Sequence, residues 1–307
     1  MERSSVEVLT AVRAKRKSRG FGSLLFDSLN YALLLLLVIV TLYPIYYMAI
    51  ISVSDGLLVS RGDVRFFPSG FNLEAYKTIL EDPAIIRSYG NTFLYTTLGT
   101  LINVALTALC AYPLTRKLQG KTVFTVLIVL TMFFHGGMIP SYLVVNNLGL
   151  LDSMWAILLP PAINVWYMIM MRTFFAGIPG EIHESALMDG ANDLVIFLRI
   201  VLPLSVPVLA TMTMFYAVWH WNSFFPSMIY LNDQKLFPVQ IIMRKIVVAG
   251  QMGNQSMAAS GSEIGVLVSA ENIKYAVIII TILPILLVYP FVQKYFVKGV
   301  MVGALKG

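Results

Sequence analysis

The chain reads as an all-α membrane protein of six transmembrane helices, with cytoplasmic N- and C-termini and a helical loop that enters the cytoplasm between helices 4 and 5. Three observations predict this. Of 307 residues, 58% are hydrophobic and only 12% charged, whereas a soluble domain is roughly one quarter charged. Several apolar runs reach the roughly 20 residues that a helix needs to cross hydrocarbon. Basic residues concentrate in alternate connecting segments, the asymmetry that orients membrane helices.

The first apolar run follows the basic stretch Arg13 to Arg19 and holds no charge from Leu29 to Val53. It lacks a small-residue cleavage pattern and exceeds the apolar core of a signal peptide, so it is read as a retained span. Residues 1–27 form a cytoplasmic tail and residues 28–307 the transmembrane domain. Spans are predicted at 28–53, 91–114, 122–142, 153–171, 203–229 and 273–293. Asn91 and the Thr115-Arg116-Lys117 cluster bound the second span, and Asp152 and Arg172 the fourth. Pro140, Pro160, Pro161, Pro203, Pro207, Pro284 and Pro290 are expected to kink helices.

Six spans place both termini on one side. That side takes Arg3, Arg13, Lys15, Arg16, Lys17, Arg19, Arg116, Lys117, Lys121, Arg172, Arg199, Lys294, Lys298 and Lys306, leaving eight of the 22 basic residues outside among nine carboxylates. The net charge of +6 is therefore assigned to topology and not to nucleic-acid binding. Two outer segments are long, 55–90 and 232–272. The Gly/Ser/Ala/Met-rich centre of the second, Ala249 to Ser262, is either a docking surface or a mobile loop. The single cysteine, Cys110, excludes an internal disulfide and is read as a small buried hydrophobe.

No Asp, Glu, Lys or Arg lies in the interior of these spans, although a secondary transporter normally needs an ionisable group at membrane depth. His135 and His220 are the titratable residues there, and a histidine beside aromatic residues is more often a hydrogen-bonded structural group. Gln119-Gly120-Lys121-Thr122 imitates a phosphate loop but has Thr115 where the upstream glycine is needed. His183-Glu184 is not followed by a second histidine one turn later. No catalytic, cofactor-binding or metal-binding set emerges, so the chain is not read as an enzyme. A channel working without ATP stays compatible with charge-free spans, and a membrane-anchored sensor would need a soluble output domain.

The predicted cytoplasmic loop, 177–203, has a legible local design. Pro179 suits a first helical turn, Glu181 and Glu184 complement its dipole, and Gly190 can adopt the left-handed conformation that ends it. Asn192 or Asp193 can cap a second helix. The expected product is a knob that offers Ile182, Ala186 and Leu187 beside Glu184. It either docks a partner or lies as an amphipathic hairpin on the inner leaflet.

The pattern Glu184-x-Ala186-x3-Gly190-x9-Ile200-x-Leu202-Pro203 resembles the coupling-loop signature of binding-protein-dependent ABC importer permeases, with Ser185 where that family commonly has alanine. Asn91-Thr-Phe, Ala111-Tyr-Pro-Leu-Thr-Arg116, Gly136-Gly-Met-Ile-Pro140, Leu148-Gly-Leu-Leu-Asp152, Trp221-Asn-Ser and the ending from Tyr295 to Gly307 extend the resemblance to most of the chain. They point to maltose-type carbohydrate permeases, especially the branch that imports oligosaccharides from complex polysaccharides.

The resemblance implies a multi-pass subunit of a bacterial plasma membrane. Its partners would be a second, homologous permease, two ATPase subunits that carry ATP and Mg, and an external solute-binding protein that delivers the carbohydrate. It implies an ATPase-docking loop of Glu181, Glu184, Ser185, Ala186, Leu187, Asp189, Gly190, Ile200 and Pro203. The C-terminal tail 294–307, with Gly303, Lys306 and Gly307, would reach the ATPases, or else be a snorkelling basic end.

Sugars need aromatic platforms and amide side chains. Asn164 and Tyr167 in the fourth span, with Tyr216, Trp219 and Asn222 in the fifth, are the candidate sugar path, Asn164 and Asn222 foremost. An interfacial aromatic belt competes for Trp221 and Phe225.

Overall fold

A computed structural model describes residues 21–257 and 271–290. Among the described residues the secondary structure is helical, without strands. In chain order the helices are α1 Phe21–Ser52, α2 Gly56–Ser60, α3 Glu74–Glu81, α4 Pro83–Ala111, α5 Lys121–Phe133, α6 Met138–Asn147 and α7 Trp155–Leu158. They continue as α8 Val165–Ala176, α9 Gly180–Met188, α10 Asp193–Leu204, α11 Val206–Asn222, α12 Phe225–Tyr230, α13 Val239–Met257 and α14 Glu271–Pro290.

By length and composition α1, α4 and α14 can each cross a membrane unaided. The third predicted span is two helices, α5 and α6, meeting at 114°. The bend falls at Gly137, whose φ of 82° with ψ of −178° is open to glycine and closed to residues with a side chain. Pro140 lies just inside α6, where its missing N–H costs nothing. The fifth span likewise bends by 82° between α10 and α11, at Ser205, and α11 ends at Asn222 instead of running to 229. The fourth is interrupted by Pro160 and Pro161, two successive residues that cannot donate to a helix. Its longer half, α8, starts afresh at Val165.

Three further boundaries differ from expectation. The first described helix, Phe21–Ser52, takes in residues of the stretch assigned to the tail. α4 begins at Pro83 and not at Asn91, because Asp82 caps it by accepting from the Ala84 N–H at 2.8 Å. The segment 232–272 contains α13, whose start is pinned by the Val239 N–H donating to Thr92 Oγ1 at 2.9 Å.

α4 is the axis of the fold. It packs along α11 so closely that a Cβ on Gly99 would stand 2.3 Å from Nε2 of His220. Its Ala111 end joins the main core, where Tyr112, Met168, Met171, Phe175, Ile196 and Phe197 are all buried. Its opposite end meets the 232–239 segment, where the Asn91 amide donates to the carbonyls of Lys235 and Phe237 at 2.7 and 3.1 Å. From Thr92 to Ala111 is roughly 28 Å of helix, so the α9–α10 loop and the α12–α13 segment lie at opposite ends of the bundle. The large apolar side chains of α1 from Leu24 to Tyr43 are exposed on this chain, which leaves them to lipid or to a partner helix.

Candidate functional site

The loop after α8 folds as two short helices. Pro179 stands just before the first turn of α9, with φ −54° and ψ 131°, and Glu181 supplies the acidic group of that turn. Gly190 takes φ 82°, and the turn closes with the Gly190 N–H on the Leu187 carbonyl and the Ala191 N–H on the Ala186 carbonyl, both at 3.0 Å. Asn192 caps α10 by accepting from the Val195 N–H at 2.8 Å. Across the turn, His183 Nε2 stands 3.6 Å from a carboxylate oxygen of Asp193.

The faces of α9 are sharply different. Glu181, Glu184, Ser185, Leu187 and Asp189 are exposed, and Ile182 borders them. Ala186 is buried in the main core among Ile196, Phe197 and Val201. The expectation that Ala186 belongs to the offered surface is therefore corrected: at this position a small side chain lets α9 sit close to the bundle. Ile200 is half-buried against the same core, while Pro203 is exposed. The residue that the sequence reading missed is Met188, 88% exposed at the tip. Its signal was available, since it lies four residues after Glu184 on the same helical face.

Beneath the loop, Tyr112 packs on Phe197 with ring centroids 4.9 Å apart, and the Arg116 guanidinium lies 4.7 Å from the Tyr112 ring. α10 turns through a π-type segment, Phe197–Val201, before its bend into α11. Such a segment widens one turn of helix and is frequent at functional sites.

At the other end of α8 the helix break at Pro160–Pro161 is closed by side chains. The Asn103 amide donates to the Pro161 carbonyl at 2.6 Å and its oxygen meets His220 Nε2 at 2.8 Å. The Tyr216 hydroxyl accepts from the Asn164 N–H at 3.0 Å and bonds Thr107 Oγ1 at 2.8 Å. Asn164 caps α8 by accepting from the Tyr167 N–H at 3.2 Å. The Pro161 carbonyl and the Asn164 N–H, left open where the helix breaks, thus find partners within the bundle. His220 is a buried, hydrogen-bonded structural histidine.

A cavity of about 100 Å³ adjoins this break, lined by Pro161, Ile163, Asn164, Tyr167, Tyr216 and Trp219. Tyr167 meets Tyr216 edge-on with centroids 5.0 Å apart. Four of the five candidate sugar residues are gathered here. The fifth, Asn222, is not among them: its amide donates to the Val218 carbonyl of its own helix at 2.8 Å. That bond answers the need for a partner at depth that had made Asn222 a favoured candidate. Trp221 is also structural, buried and donating to the Thr281 carbonyl at 3.2 Å. Two larger cavities, of about 440 and 220 Å³, are lined mainly by apolar side chains.

Away from both regions, Asp152 adopts φ 55°. Its carboxylate accepts from the backbone N–H groups of Asn232 and Asp233 and from the Asn232 amide. The Asn232 and Asp233 N–H bonds hold it below the ordinary carboxyl pKa. Among the described residues no group of three His, Cys, Asp or Glu side chains could hold a metal. The positions Gly303, Lys306 and Gly307 lie outside the described residues.

Broken apolar helices, a polar-stitched break and a projecting helical hairpin define a membrane transport component. The chain belongs to the family of binding-protein-dependent transport system inner membrane components, whose sequence model matches residues 22–302. It is 42% identical over 286 residues to the polygalacturonan/rhamnogalacturonan transport system permease protein YtcP of Bacillus subtilis (strain 168), covering 92% of this chain and 99% of that one. It is 40% identical over 270 residues to Protein LplC of the same organism, covering 87% and 90%. Its fold matches a solved bacterial ABC transporter chain involved in import of the acidic polysaccharide alginate, with TM-score 0.81, 34% identity and coverage of 90% and 98%.

Proposed function

We propose that this chain is a permease subunit of an ATP-driven importer that carries an oligosaccharide across a bacterial plasma membrane. It crosses six times with both termini cytoplasmic. It pairs with a second, similar permease and receives sugar from an external binding protein. ATP and Mg are held by two partner ATPase subunits, and α9 is where those subunits push. The sugar-transport names of its relatives support the substrate class.

The observation that carries the reading is the two-faced α9. Glu181, Glu184, Leu187 and Met188 project outward, while Ala186 on its other side is buried in the core that joins α4, α8, α10 and α11. An exposed mixture of carboxylates and large apolar side chains suits a protein partner, and a buried root makes the knob a lever.

The test is Glu184→Lys in the reconstituted complex. The variant is expected to assemble with the second permease but to lose most binding-protein-stimulated ATP hydrolysis and oligosaccharide uptake. Full stimulation in the variant, or uptake by the wild-type complex without ATP, would overturn the reading.

A further inference from the structure

We infer that Arg116 is a positioning residue of the transport stroke: when a partner presses on α9, Arg116 pairs with the Asp193 carboxylate and carries the movement of the α9–α10 hairpin into α4. This rests on the reading of α9 proposed above and adds a second route out of the hairpin, separate from α8.

Local structure holds Arg116 at the Ala111 end of α4. A tight turn follows Ala111, with the Thr115 N–H on the Tyr112 carbonyl and the Arg116 N–H on the Pro113 carbonyl, both at 2.9 Å. The turn folds the guanidinium back to 4.7 Å from the Tyr112 ring centroid. That same ring packs on Phe197 of α10, with centroids 4.9 Å apart. Asp193 opens α10 four residues before Phe197, and residues four apart share a helix face. A cation at the end of α4 and a carboxylate of the hairpin are thus brought to one aromatic contact, and both charges reach the Tyr112 hydroxyl.

The two are nevertheless unpaired. Among the described residues no carboxylate lies within ion-pair distance of Arg116, and its Nε is buried without a hydrogen-bond partner. Asp193 is held no better: its side chain is 72% exposed, and the 3.6 Å to His183 Nε2 is too long for a hydrogen bond. A buried donor left unmade is costly. A guanidinium against a ring keeps the edge of its fork free for two parallel bonds to a carboxylate. Closing the Arg116–Asp193 pair would remove that cost, so the hairpin has a second arrangement against α4 within reach. His183 and Asp193 both ride on the hairpin, whereas Arg116 belongs to the end of α4. The Arg116–Asp193 pairing therefore depends on where the hairpin stands, and re-pairing of charges across a packed boundary is one form that such switching takes. A partner that grips α9 selects the closed pair by binding that arrangement better.

Two experiments on the whole complex in proteoliposomes test this. In a Cys110→Ser background, Arg116→Cys and Asp193→Cys are combined, and oxidative cross-linking is timed without nucleotide and after trapping with Mg-ATP and vanadate. Cross-linking is expected to be faster in the trapped complex; equal or slower cross-linking there overturns the inference.

ATP-driven uptake of a labelled oligogalacturonide as probe is then compared for wild type, Arg116→Lys, Arg116→Gln, Asp193→Asn and the exchange Arg116→Asp with Asp193→Arg. The maximal rate should fall about fivefold in Arg116→Gln and Asp193→Asn, the size of a partly exposed bidentate pair. It should fall less in Arg116→Lys, and the exchange should recover most of it. The half-saturating concentration of binding protein and the thermal midpoint of the complex should stay at their wild-type values. A midpoint that falls with the rate and an exchange that rescues nothing, as a merely structural role would give, overturn the inference and leave the importer reading intact. So do wild-type rates in both Arg116→Gln and Asp193→Asn. A wild-type complex that takes up nothing with ATP overturns the importer reading, and the inference with it.

Discussion

Among the described glycines, Gly99 has the closest neighbour to an added Cβ, and its replacement by alanine tests how α4 and α11 are held. The added Cβ would stand 2.3 Å from His220 Nε2 and 2.4 Å from Cε1, against an ordinary contact of about 3.4 Å or more. The imidazole must therefore retreat by about 1 Å, which carries Nε2 away from the Asn103 oxygen that it meets at 2.8 Å. Overpacking costs about 1–3 kcal/mol and the weakened buried hydrogen bond about 1 kcal/mol, for a sum near 3 kcal/mol. The purified complex should lose several degrees of thermal midpoint, at about 2–4 °C per kcal/mol. His220→Ala removes the obstacle, so Gly99→Ala should be nearly silent in that background, a coupling of about 2–3 kcal/mol in a double-mutant cycle. Equal costs of Gly99→Ala with and without His220 would refute the steric argument.

At Gly190, φ is 82°, which a β-branched residue reaches only at roughly 1–2 kcal/mol of strain; Gly190→Val should loosen the α9–α10 hairpin and reduce co-isolation of the ATPase, whereas Gly190→Asn should be tolerated, and equal yields from the two would contradict this. Asp152→Ala should remove hydrogen-exchange protection from the Asn232 and Asp233 amides, which donate to that carboxylate. Because the Asn232 and Asp233 N–H bonds lower the Asp152 pKa from its ordinary 3.8, the clasp is complete above that value and is lost only as pH falls through the lower folded value. Wild-type protection, corrected for intrinsic exchange, should be the same at pH 7 and pH 5, and a drop at pH 5 would refute the assignment.

Helix identity and the hairpin were legible from sequence because their signals are local. Gly190 and the cap residue act on neighbours within a few residues: Gly190 takes the left-handed conformation expected of it, and of the two cap candidates, Asn192 and Asp193, it is Asn192 that accepts. Helix continuity was less legible. Hydropathy averages over a window, so an apolar run from 122 to 142 looks the same whether straight or bent through 114°; the deciding feature is the backbone of Gly137, while Pro140, the more conspicuous residue, sits harmlessly in a first turn. The cavity was legible in part. Asn164, Tyr167, Tyr216 and Trp219 follow from the clustering of aromatic and amide groups. Asn222 lies outside the lining of that cavity, and its amide donates to a carbonyl of its own helix, a bond that satisfies an amide without implying a ligand. Ala186 failed for a related reason: an alanine beside exposed carboxylates gives no sign of which way it points.

The loop and the cavity are the two ends of one rigid element. α8 runs from its Asn164 cap at the cavity wall to Ala176, one residue short of the turn into α9, about 18 Å of helix. Met168, Met171 and Phe175 along it are buried at 2% exposure or less, in the same core that takes Ala186 of α9 and Ile196, Phe197 and Val201 of α10. A close-packed core has no slack through which the hairpin could move while α8 stayed still. A push on Glu184 or Met188 must therefore displace α8 as a unit and, through the Asn164–Tyr216 and Asn103–Pro161 hydrogen bonds, change the relation of the proline break to α4 and α11. On the function proposed above, a partner that grips the exposed face of α9 would reshape the cavity through this rod.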